Sequence, residues 1–403
     1  MKRVLLLGAT IAAAAAIPGA QAGPAADPGI TGSTILLGGT APLSGPEVAY
    51  AAVARGADVY FKYVNSKGGV NGRKITYRYL DDGYDPAQTV QKTRELVQQQ
   101  RVFAIFNSVG TEQSLAVRPF LSQLKVPQLF VGTGASSIGD AYRRFPYTMG
   151  YLPSFRGEAA IYGRHVRASR PAPRIAVLHE NSDYGQDMLA GLRNGLAAQT
   201  NRIVAVQTYD VTDSDLNAQI AQLKASGANT LMLFALPKQT IQAFIAADRL
   251  GWRPRVYVNS ISVDPFVMDV ARLNTHNRVT QGAVTTAFLK DPTDPAMAKD
   301  SGVRLYKRLM RRYLPGKEKE VAHIYGMAAA YTMVDALRKA GRQLTRTALL
   351  KAATHLDERA NPFLVGGVVV KTGPRDYYPI STTRLLRYDR GHWRQFGGVL
   401  PVR

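Results

Sequence analysis

The chain has no cysteine, only two tryptophans and six histidines, and 29 acidic residues set against 51 basic ones. Each shortage closes off a class of chemistry. Without cysteine there is no disulfide, no thiolate nucleophile, no lipid-bearing cysteine and no Cys-based zinc site, so a large core has to carry the stability. The histidines, at 165, 179, 276, 323, 355 and 392, show neither H-x3-H nor HExxH spacing, which removes support for a metal site. No G-x-S-x-G elbow, Walker loop or G-x-G-x-x-G fingerprint occurs. The nearest glycine-rich piece, VGTGAS from Val131 to Ser136, lacks the lysine of a phosphate-binding loop. Neither a cofactor nor a metal is expected. Long apolar runs are missing too. The one continuous stretch, Val4 to Ile17, falls short of the ~20 residues a spanning helix needs. It follows Lys2 and Arg3 and precedes Ala20-Gln21-Ala22, the pattern of a cleaved secretory signal over residues 1–22. Gly23 to Gly29 then reads as a flexible lead-in.

What is there is a formal charge of +22. Such a balance points to nucleic acid, an anionic surface or acidic solutes. The densest basic run, RLYKRLMRRYLPGKEKE (Arg304 to Glu320), sets Arg304, Arg308 and Arg311 on one helical face and Leu305 and Leu309 on another. That is a solvated amphipathic helix, and no nucleic-acid module accompanies it. Nucleic acid is therefore not an expected partner.

The rest alternates short β runs with amphipathic stretches. Strands are expected at 35–40, 75–80, 102–106 and 128–131, with helices at 47–66, 86–100 and 112–124 between them. After an aromatic segment, Tyr142 to Phe155, the pattern starts again: strands at 174–178, 203–209, 230–235 and 256–258, helices at 187–198, 215–226 and 239–250. Two long helices (296–313 and 321–339) lead to β runs at 368–370 and 382–388. Strand–helix alternation of this kind predicts parallel sheets covered by helices, here in two similar α/β lobes. In open α/β sheets ligands bind outside the carboxyl ends of the strands. The loops placed there (TAPLSGPE, FNSVGTEQ, VGTGASS, LHENSDYG, FALPKQ and VNSISVDP) are rich in Ser, Thr, Gly and Asn, which suits holding a small polar molecule better than catalysing a reaction.

Within TAPLSGPEVAYAAVARG, Ser44 and Pro46 read as a helix cap and an early helical position. Backbone N–H groups left open for an anion are the other reading. Asp81, Asp82 and Asp85 could pair as acid and base, or cap the helix at Pro86. His179 lies in a plausible loop and reads as a hydrogen-bonded loop residue sooner than as a base.

Five segments, SGPEVAYA, GADVYFKYVNSKGGVNGRKI, YLDDGYDPAQTV, VLHENSDYGQD and DSDLNAQIAQLKASGANTLML, in that order, resemble the exported leucine/isoleucine/valine-binding proteins of ABC importers. The resemblance implies a type I periplasmic-binding-protein fold: an α/β structure of two Rossmann-like lobes joined by a three-strand hinge, closing like a flytrap on one solute. It puts lobe 1 at 30–150 and 286–382 and lobe 2 at 151–285 and 383–403. It also implies a periplasmic location, and a small-molecule solute and an inner-membrane permease and ATPase complex as partners of a monomer, though a dimer is open. It implies no enzymatic activity.

On this resemblance Gly110, Thr111, Gly132, Thr133 and Gly134 grip a ligand carboxylate, and Tyr50 and Tyr184 form aromatic walls. Ser44 then becomes cap and scaffold, positioning Tyr50. Ser260 stands where amino-acid binders carry the acid that pairs with the ligand ammonium, and Leu236 where they carry a further aromatic. Asp264 could replace that acid only if the loop turns. Burying an unpaired ammonium costs several kcal/mol, so an aromatic or aliphatic acid without an α-ammonium, or an amide-like solute, is expected in preference to an amino acid. Lys238, Arg156 and His323 could add donors, and Tyr151 and Tyr147 could line the cleft or pack the hinge. A sensory binder with the same fold is an alternative. An exported hydrolase is another, with Ser108 or Thr111 as nucleophile and His179 as base.

Overall fold

A computed structural model describes residues 27–276 and 278–402; the leader expected at 1–22 lies outside them. The first half runs β1 (Thr34–Ala41), α1 (Ala51–Ser66), β2 (Lys74–Asp81), α2 (Pro86–Arg94), β3 (Ala104–Phe106), α3 (Thr111–Gln123), β4 (Gln128–Val131), α4 (Ser136–Gly139) and β5 (Thr148–Gly150). The second runs α5 (Phe155–Arg167), β6 (Ile175–Glu180), α6 (Asp183–Leu196), β7 (Ile203–Tyr209), α7 (Asn217–Ala225), β8 (Thr230–Phe234), α8 (Pro237–Arg249), β9 (Arg255–Val258), α9 (Pro265–Leu273) and β10 (Val284–Ala287). The remainder is α10 (Ser301–Tyr313), α11 (Val321–Ala340), α12 (Arg346–Ala353), β11 (Asp357–Glu358), β12 (Val370–Lys371), β13 (Thr382–Asp389) and β14 (His392–Pro401).

The first sheet is parallel in the order β2-β1-β3-β4-β5. The second has the order β14-β13-β10-β9-β8-β6-β7, in which β13 alone runs antiparallel to its neighbours β10 and β14. Central strands are buried on both faces, as parallel strands under helices are, and so read as continuous apolar runs: β3 AIF, β4 QLFV and β8 TLMLF. The chain passes between the halves three times, after β5, after β10 and before β13. This is the α/β architecture expected. The basic helix α10 exposes Arg304, Arg308 and Arg311 and buries Leu309.

Several elements escaped the sequence pattern: α5, α9, α12, β5, β10 and β14. The helix expected from residue 47 opens as a 3-10 turn, Val48–Tyr50, before α1 proper. Ser44 is not its cap. Its amide and hydroxyl both donate to Asp81, at 3.2 and 2.6 Å. Asp82 accepts from Tyr84 N and Thr89 Oγ1, and Asp85 caps α2 through Ala87 N, so these aspartates hold turns together.

Two helix pairs pack backbone against backbone. A Cβ on Gly56 of α1 would lie 2.2 Å from the His323 carbonyl oxygen, and one on Gly326 of α11 would lie 2.0 Å from that of Val53. In the other half, Gly191 and Gly195 of α6 meet the carbonyls of Arg156 and Ala160 on α5, both at 2.2 Å. Gly326→Ala should therefore destabilise by about 1–3 kcal/mol through overpacking, measured by denaturant unfolding. Gly32→Ala, with nothing within 4 Å of the new methyl, should leave stability unchanged.

Candidate ligand-binding cleft

The carboxyl ends of both sheets' strands face one cavity of about 750 Å³. From the first half it is lined by the β1–α1 segment, the first turn of α3 and Tyr325 of α11. From the second it is lined by Glu180, Tyr184, Leu236 and the Ser260–Val267 stretch. Hydrogen bonds cross between the walls. Tyr50 Oη donates to the Ile261 carbonyl (3.2 Å), Asp183 N to Glu112 (3.1 Å), Ser136 Oγ to Asp187 (2.8 Å) and Ala322 N to Asp264 (3.1 Å). The two halves are closed on each other.

Of the sequence-derived residues, Tyr50, Gly110, Thr111, Gly132, Tyr184, Leu236 and Ser260 line the cavity. Thr133, Gly134 and Tyr151 lie outside the lining. Thr133 supports it from behind, its hydroxyl 2.7 Å from that of Thr111. Gly134 is a close-approach glycine, with a Cβ placed 1.9 Å from the Pro153 carbonyl oxygen. The Tyr151 hydroxyl lies buried at 3.0 Å from the Ala328 carbonyl and 2.9 Å from Thr332 Oγ1, its ring between Phe130 and Tyr325. Lys238, Arg156, His323 and Tyr147 are also outside the lining. Arg156 is occupied with Asp187 at 2.6 Å. His323 is held neutral, its pKa pushed down to about 4 by burial and then by Arg55 and Lys317.

The anion-binding feature is the start of α3. Its cap is Gly110, at φ 110, which has no side chain to offer, so the helix has no side-chain cap where its first-turn residues Thr111, Glu112 and Gln113 line the cavity. A helix N-terminus with free N–H groups attracts negative charge. Around it the lining is mainly apolar and aromatic: Tyr50, Tyr84, Leu152, Phe155, Phe288 and Leu289. Two tyrosine hydroxyls in this lining, Tyr184 and Tyr325, are buried without a partner. Tyr325 Oη lies 3.7 Å from where a Cβ of Gly132 would sit. The sequence reading missed Tyr325 because HIYGMAAAY looks like any apolar helix face.

The β9 loop is engaged from behind. Glu158 of α5 accepts from both Ser260 N (2.6 Å) and Ser260 Oγ (2.7 Å), and also from Tyr162 Oη (2.7 Å). Ser260–Ser262 forms a 3-10 turn, which does carry Asp264 into the lining. There, however, Asp264 accepts from Phe266 N (3.0 Å) and Ala322 N (3.1 Å). Its pKa is pushed up to about 6 by burial. Glu180, also in the lining, is pushed up to about 7, again by burial first. The hydrolase grouping is not assembled. His179 is buried outside the lining and turns Nδ1 to the Glu180 carbonyl at 2.8 Å, while Ser108 Oγ accepts from Thr40 N. Among the described residues no cluster could hold a metal ion, and no helix is long and apolar enough to cross a membrane.

Glu158→Ala leaves the Ser260 amide and hydroxyl without their acceptor. Thermal unfolding should show a loss of about 1–3 kcal/mol.

A family model described as periplasmic binding protein matches residues 34–391. The Leu/Ile/Val-binding protein homolog 1 of Brucella abortus is 25% identical over 352 residues, 85% of each chain. A branched-chain amino acid ABC transporter structure from Thermus thermophilus, with bound valine, superposes with a TM-score of 0.79 at 17% identity, covering 92% of this chain and 96% of that one. A solute-binding protein of an ABC transporter from Rhodopseudomonas palustris, in complex with 3,4-dihydroxy benzoic acid, gives 0.76 at 18% identity, covering 92% and 98%. With its two sheets closed on a cavity at their carboxyl ends, this chain belongs to the periplasmic binding protein family.

Proposed function

We propose that this protein is the exported solute-binding component of an ABC importer of the branched-chain amino-acid type. Its cargo is a small acid, aliphatic or aromatic, without an α-ammonium group. Residues 30–150 with 286–382 and 151–285 with 383–403 act as the two closing lobes. The closed form is handed to an inner-membrane permease and ATPase complex. The N-terminal leader directs the chain to the periplasm.

The observation that carries this reading is the uncapped start of α3 opening into a mostly apolar cavity. Such a site holds one carboxylate by backbone N–H groups and buries the rest of the molecule. The unpartnered Tyr184 and Tyr325 hydroxyls supply further donors. The ammonium side is unprovided where amino-acid binders place it, since Ser260 is spent on Glu158 and Asp264 on two backbone amides. The Rhodopseudomonas protein, solved with an aromatic acid, supports this fold taking such a solute, as the Thermus protein does for an amino acid.

The test is a thermal-shift screen of protein unfolded and refolded to remove carried-over solute. Leucine, isoleucine and valine are compared with 4-methylpentanoate, 3-methylbutanoate, benzoate and 3,4-dihydroxybenzoate. A solute at a hundred times its Kd stabilises by about 2.7 kcal/mol, which is easily read. Stabilisation by acids and none by the amino acids is expected; stabilisation by leucine, isoleucine or valine alone would sink the acid reading. For a stabilising acid, Tyr325→Phe should weaken binding about 2- to 10-fold, the worth of one hydrogen bond, in calorimetric titration.

A further inference from the structure

Glu47 lies in the loop between β1 and α1, in the first half, and is fully buried. Among the described residues neither of its carboxylate oxygens has a hydrogen-bond partner within 3.5 Å, and no cation comes within the 4.0 Å of an ion pair. What faces it comes largely from the other half. Glu180 stands at the end of β6, and Lys238 and Gln239 in the first turn of α8. Tyr209 of β7 and, from its own half, Tyr50 and Tyr84 complete the surroundings. Gln239 gives its amide nitrogen to the Val211 carbonyl at 3.2 Å, and its Oε1 is buried without a donor. Glu180 in turn faces two fellow acids, Glu112 and Asp210, and two hydroxyl donors, Ser182 and Tyr209, the latter only at 3.4 Å.

An ionised Glu47 in this seam meets a second carboxylate, and the opposing help from Lys238 and the Gln239 side chain ranks behind burial and that carboxylate. A protonated Glu47 carries no charge to desolvate in this buried place. We infer that closing the cleft takes up a proton, shared by Glu47 and Glu180, so that solute capture and proton uptake are one event. The inference rests on the closing-cleft reading above and adds its regulation.

The electrostatics agree in sign. Burial first, and Glu180 second, raise the Glu47 pKa to about 8. Opening the cleft separates Glu47 from Glu180, Lys238 and Gln239 and returns it toward water and the ordinary carboxylate value. A group with a raised pKa in the closed state favours closure at low pH. That advantage is lost as pH rises from the open-state value through the closed-state one. Among the described residues Lys238 is the cation that acts on Glu47, and it stands short of pairing with it.

The test needs no solute. Because the chain has no cysteine, nitroxide labels can be placed at Leu124→Cys and Leu273→Cys. These are exposed positions (43% and 71%) at the ends of α3 and α9, on opposite halves. Pulsed dipolar spectroscopy then reads the closed-to-open ratio directly. With native Glu47 the ratio should rise toward tenfold for each pH unit lowered between about 8 and 6. In Glu47→Gln, or in Glu180→Gln should the first variant fold poorly, the slope should flatten and the closed share stay high at pH 8. A pH-independent ratio with Glu47 in place, or the same slope in both variants, overturns the inference. A failed solute screen leaves this result standing, and a flat pH profile leaves the screen standing.

Discussion

The cleft depends on how closely its helices approach one another. Where Gly56 and Gly326 let α1 and α11 touch backbone to backbone, Tyr325 reaches the cavity beside Val53 and Gly132. Where Gly191 and Gly195 do the same for α5 and α6, Phe155 and Tyr184 meet at 4.8 Å between ring centres and face the same space. Helix pairs built on Leu or Val contacts would stand apart by a side chain's thickness. Both aromatic walls would then withdraw, and the cross-wall bonds from Tyr50 and Asp187 would fall out of reach. The glycines do not touch the solute space, yet they set its width.

Charge is sorted by the same construction. The chain is strongly basic, and the arginines of α10 point to solvent. The cavity and its rim instead gather carboxylates, and several of these are held by backbone N–H groups. Asp85 caps α2, and Asp264 caps α9 while bonding Ala322 across the cleft. Asp81 and Asp82 do similar duty in the turn after β2. A carboxylate with two or three N–H donors stays ionised at modest cost even when buried. Among the described residues Glu47 and Glu180 have no such backbone donors, and burial drives both toward neutrality.

Sequence pattern carried the architecture well. Continuous apolar runs before amphipathic stretches are what a doubly covered parallel sheet requires, and the loops after β1, β3, β6, β8 and β9 do bound the cavity. What it could not carry were contacts between segments far apart in the chain. Helix α5 was hidden because PSFRGEAA opens with small and charged residues after an aromatic stretch, so no clear start of a 3.6-residue period appears. Ser44 has the composition of a cap, and only the return of β2 beside β1 places Asp81 where it captures that serine first. Tyr325 has no polar neighbour in sequence to mark it. Glu158 meets Ser260 across 102 positions, and no local reading links them.

That last contact bears directly on what the cleft can select. An ammonium group needs a carboxylate with a free lone pair and negative charge. Glu158 has spent its charge on three donors, and Asp264 on two. Glu180 lines the cavity together with Glu112, Asp210 and Glu320, and near neutral pH it stands at the edge of losing its charge. Selection between an acid and an amino acid is therefore not fixed by the shape of the β9 loop alone. When Glu180 is protonated it tolerates, and can donate to, a neighbouring anion. When ionised it repels an anion and welcomes a cation. On the proton-linked closure inferred above, the discrimination that a fixed ion pair would impose passes to a titrating group, and solute preference would shift with the same proton.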